Sequence, residues 1–101
     1  MKATIGIIGG GAAGLAFASF IDTSKFDVTI YEKNKTVGRK FLVAGDGGFN
    51  LTHAEHIDQF ITRYTPHSFL ENALTHFSNK DTQKWLNELG IPTFTGSSNR
   101  I

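Results

Sequence analysis

The chain has 101 residues, 40% of them hydrophobic and 19% charged, with 11 glycines and no cysteine. That composition excludes a disordered, collagen-like or low-complexity chain, and the length holds one domain at most. Ten Lys and Arg against nine Asp and Glu leave a formal charge of +1, which gives no electrostatic basis for binding nucleic acid or an acidic membrane. Without cysteine there is no disulfide framework, thiol nucleophile or thiolate metal site, and a cytoplasmic setting is the expectation.

From Ala3 to Ile21 no residue is charged, and Gly6, Gly10 and Gly14 are spaced as on a transmembrane dimerisation face. A helix through Gly9-Gly10-Gly11 would stack poor helix formers, each about 1 kcal/mol worse than alanine. The apolar part before them, Ile5-Gly6-Ile7-Ile8, has only the length of a buried strand. The segment therefore reads as a strand over residues 3–8, apolar on both faces, a glycine turn over 9–11 and a helix from 12 to about 21. Asp22-Thr23-Ser24-Lys25 is a return loop, and residues 26–31 form a second strand with Val28 and Ile30 on one face. Residues 3–31 are thus a βαβ unit.

Residues 32–53 are polar and glycine-rich and read mainly as an extended loop. Residues 54–90 read as helical. Ile57, Phe60, Ile61 and Tyr64 share one helical face. Phe69, Leu70, Ala73, Leu74 and Phe77 repeat the pattern after Pro66, which suits a helix N-terminus. Ser78 or Asn79 can cap a third helix, which carries Trp85, Leu86 and Leu89 and stops at Gly90. These apolar stripes are expected to be core, and Ile91 to Thr95 to be extended.

Gly9-Gly10-Gly11-Ala12-Ala13-Gly14 contains G-x-G-x-x-G between a predicted strand and a predicted helix. In a dinucleotide-binding turn Gly9 makes the tight exit from the strand and Gly11 admits a pyrophosphate to the backbone. Gly14 lets the helix lie close to the strand, and the helix N-terminus presents unpaired N–H groups. Glu32 ends the second strand 18 residues after Gly14, near the spacing of about 20 at which an acid meets a ribose diol. Its charge also disfavours a 2′-phosphate. These residues alone leave FAD and NAD both open.

A second glycine patch follows, at Gly38, Gly45, Gly47 and Gly48. A basic, glycine-rich loop here suits a longer cofactor with more to wrap. The blocks Gly9 to Gly14, Glu32-Lys33, Gly38-Arg39-Lys40 and Asn50-Leu51-Thr52 stand in the order found in the BaiN/YhiN-like flavoproteins, the aminoacetone oxidase family, which the chain resembles over essentially its whole length. It departs from them at Gly48 and Phe49, where the family loop has arginine and cysteine.

The resemblance implies an α/β fold, the N-terminal part of a Rossmann-like FAD-binding domain. It implies FAD as cofactor, with the pyrophosphate on Gly9, Gly11, Ala12, Ala13 and Gly14 and the adenosine ribose on Glu32. Lys33, Gly38, Arg39 and Lys40 would lie on the adenosine and phosphate side, with a surface charge the lesser alternative for Lys33 and Lys40. Gly45 and Gly47 would form a backbone nest near the flavin. Asn50 and Thr52 would either hydrogen-bond flavin or brace the loop. The parent would be a flavin-dependent oxidoreductase that takes electrons from NAD(P)H or an organic donor and acts on a small molecule. An NAD-binding dehydrogenase domain and a non-catalytic nucleotide-binding fragment are the competing readings.

Other constellations fail. His53 and His56 flank Glu55 as a possible helical pair, but no third metal ligand stands at sensible spacing. No serine occupies a nucleophile elbow, and no Walker A lysine follows the glycines. Two strands are also too few for a doubly wound sheet. The expectation is therefore an N-terminal fragment lacking the rest of its domain and a substrate domain. Alone it would be inactive, and it would fold incompletely, self-associate or bind FAD weakly.

Overall fold

The computed structural model describes residues 1–43 and 48–101. The chain divides into two units, Met1–Gly47 and Gly48–Ile101, each considered by itself.

Unit 1 is built on β1 (Ala3–Ile8), α1 (Ala12–Phe20) and β2 (Phe26–Tyr31). The strands pair in parallel, from Ala3 opposite Phe26 to Ile8 opposite Tyr31, so α1 is the crossover. The return loop is an Asx turn. The Asp22 carboxylate accepts the Ser24 N–H at 3.0 Å and the Ser24 hydroxyl at 2.6 Å, and the Asp22 carbonyl accepts from Lys25 and Phe26.

α1 lies on the Ile7 side of the strand, where Ile7 is buried. Phe26, Val28 and Ile30 alternate with exposed neighbours along β2, as the sequence suggests. The expectation that β1 is buried on both faces is corrected, because Ile8 is 86% exposed. Within unit 1, α1 lies against the Ile7 face, and Ile8 points to the other.

The expected extended loop is also corrected in one place. Gly38 adopts a left-handed conformation (φ 65°, ψ 27°), and its carbonyl accepts from Phe41 and Leu42. This closes a single helical turn, α2 (Arg39–Leu42). A side chain at position 38 would strain that geometry, which glycine adopts freely.

Unit 2 contains α3 (Ile57–Ile61), α4 (His67–His76) and α5 (Asn79–Glu88). Backbone bonds lace residues 51–54 to residues 99–101. Leu51 N–H donates to the Ile101 carbonyl at 2.6 Å, Ile101 N–H to Thr52 at 2.9 Å and Ala54 N–H to Asn99 at 2.8 Å. Ile101 is buried there. Ser78 caps α5 in a reciprocal box with Asp81. Arg63 grips Glu55 through Nε and a terminal nitrogen, at 3.0 and 2.9 Å.

Three expectations are corrected in unit 2. α3 ends at Ile61, so Tyr64 lies beyond it and meets Phe60 edge-on at 5.7 Å between ring centroids. Ile91 to Thr95 forms no strand, having no partner ladder among the described residues. The stripe on α4 is only partly core. Leu70 and Leu74 are half-buried, but Phe69 is 81% exposed because the described helices reach only part of that face. Among the described residues no helix is long and apolar enough to cross a membrane.

Candidate functional site

Gly9 and Gly14 of the first glycine turn have the backbone geometry their spacing suggests, and there is one addition. Gly9 sits at φ +96°, a conformation side chains rarely adopt, and its N–H donates to the Tyr31 carbonyl at 2.8 Å. Gly14 sits where a Cβ would run into the Gly9 carbonyl oxygen, so only glycine lets α1 start this close to β1. Gly11 is the N-cap of α1 and provides no side-chain cap. A Cβ there would meet nothing within 4 Å. The first turn of α1 is thus open, and its amides carry the partial positive charge of a helix N-terminus.

Gly10, which the motif spacing does not require, is the addition. It is buried and bonded on both sides. Its N–H donates to Glu32 Oε1 at 3.0 Å, and its carbonyl accepts the Gly38 N–H at 2.7 Å. A Cβ at position 10 would lie 2.6 Å from Val37 Cγ1. The sequence signal for it is the run of three glycines where the motif needs only the outer two.

Glu32 is half-buried at the end of β2, and both its oxygens are engaged. Oε2 accepts the Asn34 N–H at 2.7 Å while Oε1 holds Gly10. The Asn34 N–H, then the Gly10 N–H, hold the carboxyl below the ordinary glutamate value. An anion at neutral pH follows, one with acceptor capacity to spare, since a carboxylate offers about four acceptor positions.

Gly10, Gly11, Ala12, Glu32, Gly38, Arg39 and Lys40 line one cavity of about 500 Å³, with Asn34 and Phe41. Of these, Gly11, Ala12, Glu32, Gly38, Arg39 and Lys40 are the sequence-expected residues that unit 1 brings together, and Gly10 joins them. Gly9, Ala13 and Gly14 shape the turn behind the cavity without lining it, and Lys33 is exposed outside it. Gly45 and Gly47 lie outside the described residues. Asn50 and Thr52 belong to unit 2. There Asn50 lines a second cavity of about 450 Å³, and Thr52 pairs with Ile101 through its backbone.

The helical pair of His53 and His56 does not form. His53 makes a bridge with Arg100, and its Nδ1 accepts the Glu55 N–H at 3.3 Å. His56 is the N-cap of α3, its Nδ1 accepting the Asp58 N–H at 3.3 Å. Among the described residues no group of three or more His, Asp and Glu side chains could hold a metal ion.

Residues 3–101 match the family described as the HI0933-like protein Rossmann domain. The chain belongs to this family. The HI0933-like assignment agrees with the BaiN/YhiN-like resemblance and the Rossmann-like α/β class read from the glycine turn. Among curated proteins, this HI0933-like chain is 36% identical over 85 residues to a ribosomal RNA dihydrouridine synthase of Haemophilus influenzae, covering 84% of the chain and 21% of that protein. It is 34% identical over 91 residues to a 3-dehydro-bile acid delta(4,6)-reductase of Clostridium scindens, covering 88% of the chain and 22% of that protein. The chain therefore spans about a fifth of the length of these relatives.

Proposed function

We propose that unit 1 holds the ADP half of FAD and that the chain is the FAD-binding part of a flavin-dependent oxidoreductase. The observation that carries this reading is the cavity that joins the open N-terminus of α1, the Glu32 carboxylate and the basic pair Arg39-Lys40. The residues fit the cofactor. Gly11 presents bare backbone to a pyrophosphate, and the first-turn amides of α1 donate to it. Arg39 and Lys40 neutralise its two charges, the guanidinium with a fork suited to two oxygens. Glu32 keeps acceptor capacity for the ribose hydroxyls beyond its bonds to Gly10 and Asn34.

Bound FAD supplies the redox chemistry, and the protein binds and orients it. In the whole protein electrons come from NAD(P)H or an organic donor and pass to a small-molecule acceptor. The reductase among the relatives supports oxidoreductase chemistry. The setting is cytoplasmic. Asn50 and Thr52 act as loop braces, which the backbone pairing of Thr52 with Ile101 supports.

The test is equilibrium binding of FAD, followed by its visible absorption, with ADP, FMN and NAD as competitors. ADP competes and FMN does not. Gly11→Val puts a branched side chain over the pyrophosphate path and weakens FAD binding by at least about tenfold, or roughly 1.4 kcal/mol. Preference for NAD over FAD, or unchanged binding by the Gly11→Val chain, overturns the assignment.

A further inference from the structure

The cavity in unit 1 needs two walls held in register. One is the N-terminus of α1, and the other is the turn that begins α2 and carries Arg39 and Lys40. They come from segments separated by all of β2, and nothing in the glycine motif joins them. The geometry points to Gly10 and Val37 as the positioning pair that sets Arg39 and Lys40 opposite the α1 N-terminus, so that diphosphate recognition depends on a contact with Val37, which does not line the cavity. This inference rests on the dinucleotide reading above and adds a determinant of it.

Several observations converge on this pair. Val37 packs against the bare Cα of Gly10 so closely that a Cβ there would come within 2.6 Å of Val37 Cγ1 and 3.0 Å of its Cβ. The next residue, Gly38, donates its N–H to the Gly10 carbonyl at 2.7 Å. A Cβ on Gly38 would stand 3.5 Å from Leu15 Cδ1, which puts this turn against α1 itself. Gly38 then turns left-handed and Arg39 follows immediately. Gly10 itself is not among the positive-φ glycines, so its backbone tolerates alanine. What excludes a side chain there is chiefly Val37, with Ile30 Cγ2 at ordinary contact distance, 3.4 Å. Such an exclusion is reversible: a methyl added at position 10 is accommodated when methyls are removed at position 37.

The experiment measures binding of ADP and of adenosine to the full chain and to Gly10→Ala, Val37→Gly and the double variant Gly10→Ala/Val37→Gly. Adenosine reports ribose and base binding, and ADP adds the diphosphate. Gly10→Ala displaces the α2 turn and lowers ADP affinity about tenfold, the worth of one charge-assisted hydrogen bond, with adenosine affinity falling much less. The salt dependence of ADP binding flattens along with it. The double variant regains most of the loss. A merely structural role would lower both ligands together. Val37→Gly leaves the α1 turn untouched, so it serves if Gly10→Ala does not fold, and it too lowers ADP affinity selectively. Equal ADP affinity in Gly10→Ala, Val37→Gly and the unaltered chain, or a double variant no better than Gly10→Ala, overturns the positioning role. An unaltered chain that binds neither ADP nor FAD instead overturns the dinucleotide reading beneath it.

Discussion

The Gly10 N–H donates to Glu32 Oε1 at 3.0 Å across 22 residues of chain, tying the glycine turn after β1 to the acid at the end of β2. The second oxygen takes the Asn34 N–H at 2.7 Å, so one carboxylate pins both loops that leave the parallel pair. The side chain proposed for the ribose thus also shapes the glycine turn.

That double role makes stability depend on pH in a defined direction. The Asn34 and Gly10 N–H groups lower the Glu32 pKa below its ordinary value of 4.5. A depressed carboxyl contributes stability that is present above the ordinary value and lost as pH falls through the folded one. Glu32→Gln keeps the shape but turns an amide NH₂ toward one of the two backbone donors. The unaltered chain should therefore melt higher than Glu32→Gln at neutral pH, with the gap closing below pH 4.5. Melting curves of both chains across that range check this, and a pH-independent gap would exclude the two-donor account.

Gly14→Ala sets two effects against each other. Alanine in a helix gains up to about 1 kcal/mol over glycine. Its Cβ here would meet the Gly9 carbonyl oxygen, a backbone atom that cannot rotate aside, with Ile7 Cγ2 close behind at 3.3 Å. Overpacking of this kind costs roughly 1–3 kcal/mol. A net destabilisation of about 1 kcal/mol is expected, read from the denaturant midpoint. A stabilised variant would mean that α1 shifts freely on β1.

The strand, glycine turn, helix and strand of unit 1 were legible because each is a local pattern: a short β-branched run, a glycine cluster, a small-residue helix. Glu32 was legible by spacing. Gly10 was not, because its need for glycine comes from Val37, a residue in no motif. α2 was hidden for a related reason. Arg39-Lys40-Phe41-Leu42 is one turn long, and its start depends on the left-handed Gly38 rather than on any periodicity. The stripes of α3 and α4 marked an apolar face, but periodicity does not say what covers it, and Phe69 shows the difference.

The capping box of α5 gives a prediction independent of any ligand. Ser78 Oγ accepts the Asp81 N–H at 3.2 Å, and the Asp81 carboxylate accepts the Ser78 N–H at 2.9 Å. The Ser78 N–H, followed by its hydroxyl, holds the Asp81 carboxyl below the usual aspartate range. Ser78→Ala removes the cap and should cost about 1 kcal/mol, with Thr the better-tolerated replacement. Thermal melts followed by far-UV circular dichroism should rank the unaltered chain first, Ser78→Thr next and Ser78→Ala last. Equal melting of the alanine variant would show that α5 is held by packing alone.

Asn79, the residue after that cap, is 3% exposed and makes the sharpest test in unit 2. Its Nδ2 donates to the His53 carbonyl at 2.6 Å and to the Glu55 carbonyl at 2.8 Å, joining α5 to the segment before α3. Turning the amide over would set oxygen against two carbonyls, so those acceptors fix its orientation. Its Oδ1 is buried with no partner among the described residues, so the two donor bonds decide the sign of any change. Asn79→Ala leaves both carbonyls unmatched and should cost about 1–3 kcal/mol. Asn79→Asp should be worse at neutral pH, because it buries a charge that can only accept, and should recover in acid, where a protonated carboxyl donates one hydrogen bond. Melting temperatures of the two variants at neutral and acid pH measure this. An aspartate variant at least as stable as the alanine one at neutral pH would mean that the carbonyl clamp does not hold α5 in place.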